Sequence, residues 1–452
     1  MECALKVLII TSVYIVSCLA KYPVLPHFDE EWWGPDEMKL RNDTSIRPFQ
    51  LHFHPKMIED LRYRIQNHRP FTPPLQGVGF DYGFNTDYLY GWMDYWANDY
   101  DFQAREDVLN QYPQFKTNIQ GLDIHFLWIK PDVPPHVPVI PLLILHGFPG
   151  SIVEFYKTIP LLTSWSPGRD FAVEVIAPSL PGFGFSDAAV RPGLGASEMA
   201  IVLRNLMHRL GFKKFYVQGG DWGAYVGFSI ATIYPRETLG YHTNLAVAFT
   251  PGSLALYLIG SIYPPLVVDK KVMDRIYPII RYLTWLTTEA GYLHIQATKP
   301  DTVGVAMADS PSGLLTYIFQ LFSSASRRKF VQRADGGLDD LYTRDELLDN
   351  LMMYWVPNSF TTASRIYAET LNIRNLYMGI YAIPTPVPTW TIHAKDEIIY
   401  QSPRMLKFKY PNLLHSTILS GGGHFLALEE PEVFAHDVLN ALAAFRNWHR
   451  RH

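Results

Sequence analysis

Asp221 sits at the tip of Gly219-Gly220-Asp221-Trp222-Gly223, after the apolar run Phe215-Tyr216-Val217 and before a stretch, Ala224 to Ala231, that reads as a helix ending ahead of Pro235. Strand, small-x-acid-x-small, helix is the layout of a nucleophile elbow, a sharp turn that lifts one reactive side chain above a parallel sheet. The flanking glycines are required because so tight a turn leaves no room for neighbouring side chains. A carboxylate at the tip forms an alkyl ester by displacement at carbon, so the pattern points to epoxide ring opening or dehalogenation. The structural alternative for the pentapeptide alone is an ordinary glycine-rich turn before a helix.

Further side chains suited to the same chemistry follow later strands. Asp396 and Glu397 come after the expected strand Thr389 to His393, and His424 comes after the expected strand Ser416 to Leu419 on Gly421-Gly422-Gly423. Loops at the C-terminal ends of parallel strands meet at one sheet edge, so nucleophile, supporting acid and histidine can converge there. In that arrangement Asp221 attacks carbon, and His424, supported by the neighbouring acid, deprotonates the water that cleaves the ester. His146-Gly147-Phe148-Pro149-Gly150 follows a buried-type strand, so the Phe148 and Trp222 backbone N–H groups are candidates for an oxyanion pocket. An epoxide oxygen also needs a proton donor as the ring opens, and tyrosine suits that role. With 27 tyrosines, the residues alone do not select one.

Positioning these groups requires an α/β core. The sheet is expected to begin at Pro141 to Leu145, an apolar run typical of a strand covered on both faces. Ser151 and Glu154 form an S-x-x-E capping-box pattern that predicts a helix through Leu162. A strand at Phe171 to Ala177, a helix over 197–210, the elbow strand and a segment at Gly240 to Leu245 continue the alternation. From about 250 to 370 the chain turns helical and apolar, with helices expected at Leu254 to Tyr263, Val272 to Tyr292 and Gly313 to Phe322. A second capping box lies at Thr343 to Glu346. Alternation then resumes, and a last helix starts at Pro431 with Phe434, Val438, Leu442 and Phe445 inward. The implied organisation is a core of residues 136–249 and 371–452, a helical lid of residues 250–370, and an N-terminal extension of residues 22–135. The extension is expected to contain a helix at Met57 to Ile65, irregular helix over Tyr88 to Tyr112 and a strand at Ile124 to Ile129.

A net charge of −4 without basic tracts offers nothing to a nucleic acid. The two cysteines, Cys3 and Cys18, both lie in an N-terminal apolar stretch, so the rest of the chain has no disulfide or thiol chemistry. No metal or organic cofactor is implied. Residues 4 to 20 are apolar, at the lower edge of the roughly 17–25 residues that span a membrane, and residues 1–21 read as an anchor. A cleaved signal peptide is the rival reading. Asn42-Asp43-Thr44 is a glycosylation sequon.

Taken together, His146-Gly147-Phe148-Pro149, Gly219-Gly220-Asp221-Trp222-Gly223 and Gly422-Gly423-His424-Phe425 resemble the microsomal epoxide hydrolases, from about residue 22 to the C-terminus. The resemblance implies an α/β-hydrolase fold with a helical lid and an N-terminal domain wrapping the core. It also implies conversion of a lipophilic epoxide and water to a diol. Phe408-Lys409-Tyr410-Pro411 matches the family's run between its acid and its histidine, which implies Glu397 as the supporting acid and leaves Asp396 second. Gly291-Tyr292-Leu293-His294-Ile295-Gln296 and Ser364-Arg365-Ile366-Tyr367 match the family's two lid-tyrosine segments, implying Tyr292 and Tyr367 as proton donors. Phe148 departs from the Trp of many relatives, although only its backbone N–H is needed. By resemblance the N-terminal segment is a single-pass anchor in the endoplasmic-reticulum (microsomal) membrane. Within the family the chain is most similar to the insect juvenile hormone epoxide hydrolases, which would make the substrate a terpenoid epoxide. A general detoxifying epoxide hydrolase, a haloalkane dehalogenase and a non-catalytic hydrolase-fold binding protein are the alternatives.

Overall fold

A computed structural model describes residues 24–41 and 43–452. The expected anchor over residues 1–21 and the sequon at Asn42 lie outside the described residues. Among those described, no helix is long and apolar enough to cross a membrane.

Among the described residues, nine strands form one sheet in the order β1-β2-β3-β5-β4-β6-β7-β8-β9. They span Arg47–Phe49, Gln114–Ile119, Leu122–Ile129, Val139–Leu145, Ala172–Pro178, Phe215–Gly219, Thr238–Thr243, Thr389–His393 and Leu413–Ile418. From β5 to β9 neighbouring strands are parallel, while β1, β2 and β3 join antiparallel at the β5 side. The sheet therefore begins at Arg47, not at Pro141. Three strands of the 22–135 segment extend it, because β3 pairs Phe126 with Pro178 and Ile129 with Val175. Every residue of β5 and β6 is buried, as expected of central strands covered on both faces. The edge strand β9 carries exposed positions.

The rest of the N-terminal segment packs on helices that follow β7. Trp92 lies edge-on to Phe319 with centroids 4.8 Å apart. Tyr100 Oη and Arg105 Nε both donate to Asp349 Oδ1, at 2.9 and 3.0 Å. Helices Pro55–Gln66, Thr86–Asp94 and Phe102–Leu109 carry this surface, with a π turn at Tyr95–Asp99.

Between β7 and β8 the chain is helical. The single helix expected from Val272 to Tyr292 is instead a 3-10 turn, Lys270–Arg275, then helices Ile279–Glu289 and Gly291–Thr298. Pro278, which has no N–H to continue the first segment, separates turn from helix. Tyr292 thus opens a helix instead of closing one. The Thr343–Glu346 capping box forms on both sides at the start of Arg344–Trp355. The box at Ser151 does not. Ser151 Oγ accepts from Val153 N–H and donates to Asn350, and the Glu154 carboxyl lies over Gly150, so a 3-10 turn, Ile152–Phe155, precedes a short helix, Ile159–Thr163. The last helix, Pro431–His449, buries Phe434, Val438, Leu442 and Phe445 against the sheet.

Candidate active site

Asp221 is the first residue of the helix Asp221–Ile233 and has φ 47°, a left-handed conformation unusual for a side chain larger than glycine. That conformation projects its carboxylate above the C-terminal ends of β4 and β6. Gly223 permits the turn, since a Cβ there would fall 2.2 Å from the Leu145 carbonyl oxygen. Gly147 permits the approach of the carboxylate, since a Cβ there would fall 2.1 Å from Asp221 Oδ1.

The loop after β4 supplies an amide. Phe148 N–H donates to Asp221 Oδ1 at 2.7 Å. This loop is tied down by His146, whose Nε2 accepts from Leu180 N–H at 3.1 Å. Burial pushes the His146 imidazole down to about 4, so the ring stays neutral and keeps an acceptor nitrogen. Trp222 is the second residue of its helix, where the backbone N–H has no intrahelical partner.

His424 bridges two carboxylates. Its Nδ1–H donates to Glu397 Oε1 at 2.7 Å, and Nε2 lies 3.4 Å from Asp221 Oδ2. Glu397 is buried and also accepts from Ile398 N–H at 2.7 Å. Asp396, the second candidate, is partly exposed, and its backbone N–H is engaged with Gly422 O at 3.0 Å. Burial opposes the imidazolium, but Glu397 and Asp221 together hold the His424 pKa well above the usual imidazole range.

The helical segment brings two tyrosines against Phe148 and Trp222, the residues whose backbones flank the Asp221 carboxylate. Tyr367 meets the Trp222 ring at 4.7 Å, Phe148 at 5.7 Å and Tyr292 at 6.0 Å, all near-perpendicular. Burial, reinforced by Asp221, raises both phenols above their ordinary value, so each keeps its proton near neutral pH. Sequence reasoning did not single out the Glu154 carboxyl. Burial pushes it up to about 8, against the pull of His424 and with Asp221 adding to the rise. Its spacing from Ser151 reads as a capping box, whereas the carboxyl lies over Gly150.

The site thus holds a carboxylate at the elbow tip, an imidazole backed by a second carboxylate, an amide on the first carboxylate and two buried phenols nearby. A family profile described as "Epoxide hydrolase N terminus" matches residues 46–155, and one described as "alpha/beta hydrolase fold" matches residues 140–250. The juvenile hormone epoxide hydrolase of Bombyx mori is 50% identical over 445 residues, covering 98% of this chain and 96% of that protein. Epoxide hydrolase 1 of Sus scrofa is 40% identical, covering 90% and 91%. The crystal structure of the Bombyx mori enzyme superposes with a TM-score of 0.92 at 52% identity, covering 93% of this chain and all of that one. With relatives this similar along nearly its whole length, the chain belongs to the epoxide hydrolase family of the α/β-hydrolase fold.

Proposed function

We propose that this epoxide hydrolase acts on a lipophilic terpenoid epoxide, juvenile hormone, through a covalent ester on Asp221. The observation that carries the chemistry is the continuous contact Glu397–His424–Asp221–Phe148 N–H. Asp221 attacks an epoxide carbon, the carbon–oxygen bond breaks, and Tyr292 and Tyr367 donate to the departing oxygen. Charge on Asp221 is thereby lost to the ester. The His424 imidazolium proton passes to the phenolate left by ring opening, and the neutral Nε2 then takes a proton from water, whose oxygen attacks the ester carbonyl carbon. Phe148 N–H and Trp222 N–H receive the oxyanion; on collapse the acyl carbon–oxygen bond breaks, the departing alkoxide takes the proton of the new Asp221 carboxyl, and the diol leaves Asp221 as carboxylate beside protonated His424. We read residues 250–370 as a lid because both tyrosines come from it.

The hormone as substrate is supported by the 50% identity to the Bombyx mori enzyme and by the aromatic wall of Phe148, Phe360, Tyr292 and Tyr367. Diol formation from juvenile hormone and from a small aryl epoxide, side by side with Asp221→Asn as blank, tests it. Strong preference for the hormone is expected. Equal or faster turnover of the aryl epoxide would make the chain a general detoxifying hydrolase.

The apolar run over residues 4–20 supports a single-pass anchor in the endoplasmic-reticulum membrane, where a lipid-soluble epoxide concentrates. Retention of the full chain in carbonate-washed microsomes, and its release when residues 1–23 are removed, is the expected result. Equal recovery in the soluble fraction would overturn it.

A further inference from the structure

His424 stands on a glycine-rich loop, yet three successive amides of that loop are engaged. Gly423 N–H donates to Glu429 Oε2 at 2.9 Å, and Phe425 N–H donates to Glu429 Oε1 at 3.1 Å. Between them, His424 N–H donates to Ala325 O at 3.0 Å, at the end of the helix Pro311–Ser326. One fully buried carboxylate therefore grips the backbone on both sides of the histidine. Arg327, the residue that caps that helix, pairs with Glu429 and also donates to Ser326 O at 2.7 Å. Contact is close along this seam, since a Cβ on Gly423 would fall 2.2 Å from Ser326 O.

We infer that the Arg327–Glu429 pair is a positioning device that sets the His424 imidazole for the hydrolytic half of the reaction and ties it to the helical segment carrying the two tyrosines. The inference rests on the two-step scheme above. A glycine-rich loop has many conformations, and only a bidentate carboxylate facing two amides selects one of them. Burial pushes the Glu429 carboxyl up to about 7, against the pull of Arg327 and of the two amides. Loss of Arg327 would let it protonate, converting an acceptor into a donor and releasing one amide. Asp221 does not depend on this pair, because its elbow and its Phe148 contact lie on other strands.

The test uses full-length Glu429→Gln and Arg327→Met, with His424→Gln as reference and juvenile hormone as substrate, or styrene oxide if the wild type turns it over faster. Mass measurement of the Asp221 peptide during single turnover reads ester formation and ester loss separately. Ester formation is expected at near the wild-type rate. Ester loss should slow by roughly 10–100-fold, the cost of misplacing a catalytic group by about an ångström. Consequently kcat and KM should fall together while kcat/KM holds, and Arg327→Lys should restore ester loss. Near-UV circular dichroism identifies a misfolded variant, in which case the Arg327 pair of substitutions decides. Unchanged ester loss, or equal slowing of both steps, would overturn the positioning role while His424→Gln still accumulates ester. No ester in His424→Gln would overturn the two-step scheme and this inference with it.

Discussion

His424 Nε2 lies 3.4 Å from Asp221 Oδ2, so imidazole and carboxylate form an ion pair in the free protein. Once Asp221 becomes a neutral ester, one of the two charges that hold the imidazole protonated disappears. In the proposed two-step scheme, ester formation itself would therefore free His424 to act as base. Asp221→Asn mimics the neutral state, and its His424 pKa, read by NMR of the imidazole, is expected below that of the wild type. The sign for stability follows. A raised histidine pKa contributes stability that is complete below about 6.5 and is lost as pH rises through the raised value. The stability of wild type relative to Asp221→Asn should accordingly decline toward alkaline pH, as measured by thermal melting. A pH-independent difference would show that the pair carries no such coupling.

The oxygen bookkeeping of the two-step scheme can be read directly. Water attacks the ester carbonyl, so the oxygen delivered to the diol in the first turnover comes from Asp221. Single turnover in ¹⁸O-water should yield unlabelled diol and a labelled Asp221 peptide. Label in the diol at once would mean direct attack of water on the epoxide.

Glu397 and Asp396 are adjacent in sequence but differ in their relation to His424. Glu397→Gln removes the charge that orients and stabilises the imidazolium, and should lower kcat by roughly 10²–10⁴-fold. Asp396→Asn should leave kcat within a factor of about three, as is usual for a partly exposed group without a catalytic contact. Comparable losses from both would remove the distinction.

Tyr292→Phe and Tyr367→Phe delete the phenolic donors and keep the rings that pack with Phe148 and Trp222. Each should slow ester formation by roughly 10–10³-fold and the double variant more, consistent with the scale of general acid catalysis. Stopped-flow quenching of tryptophan fluorescence, with Trp222 beside the reacting carboxylate, would follow that step. Normal ester formation in the double variant would assign the donor elsewhere.

Gly223→Ala places a Cβ against backbone at Leu145, where no side-chain rotation relieves the contact. A loss of about 1–3 kcal/mol, typical of overpacking, is expected together with a fall in activity. Urea unfolding checks the first and diol formation the second. An unaffected variant would mean that the elbow tolerates a wider turn.

What the sequence determined is local. The elbow, the His146 to Gly150 loop and the glycine run before His424 are short patterns in which each residue's size or chemistry is dictated by immediate neighbours. Buried strands such as Val139–Leu145 and the amphipathic final helix were legible for the same reason. Where two local patterns looked alike, only tertiary contacts separated them. Thr343-Arg344-Asp345-Glu346 caps a helix, whereas the matching Ser151-Ile152-Val153-Glu154 does not, because Asn350 takes the Ser151 hydroxyl and the Glu154 carboxyl lies over Gly150. Composition and spacing left Glu397 and Asp396 equivalent, and only the family resemblance ranked them. The fold turns one inward to His424 and leaves the other at the surface. The tyrosines against Phe148 and Trp222, the early strands joining the sheet, and the pairing of Arg327 with Glu429 all depend on segments distant in sequence. Such contacts are set by how whole elements pack, and packing is a property of the assembled chain that no short window contains.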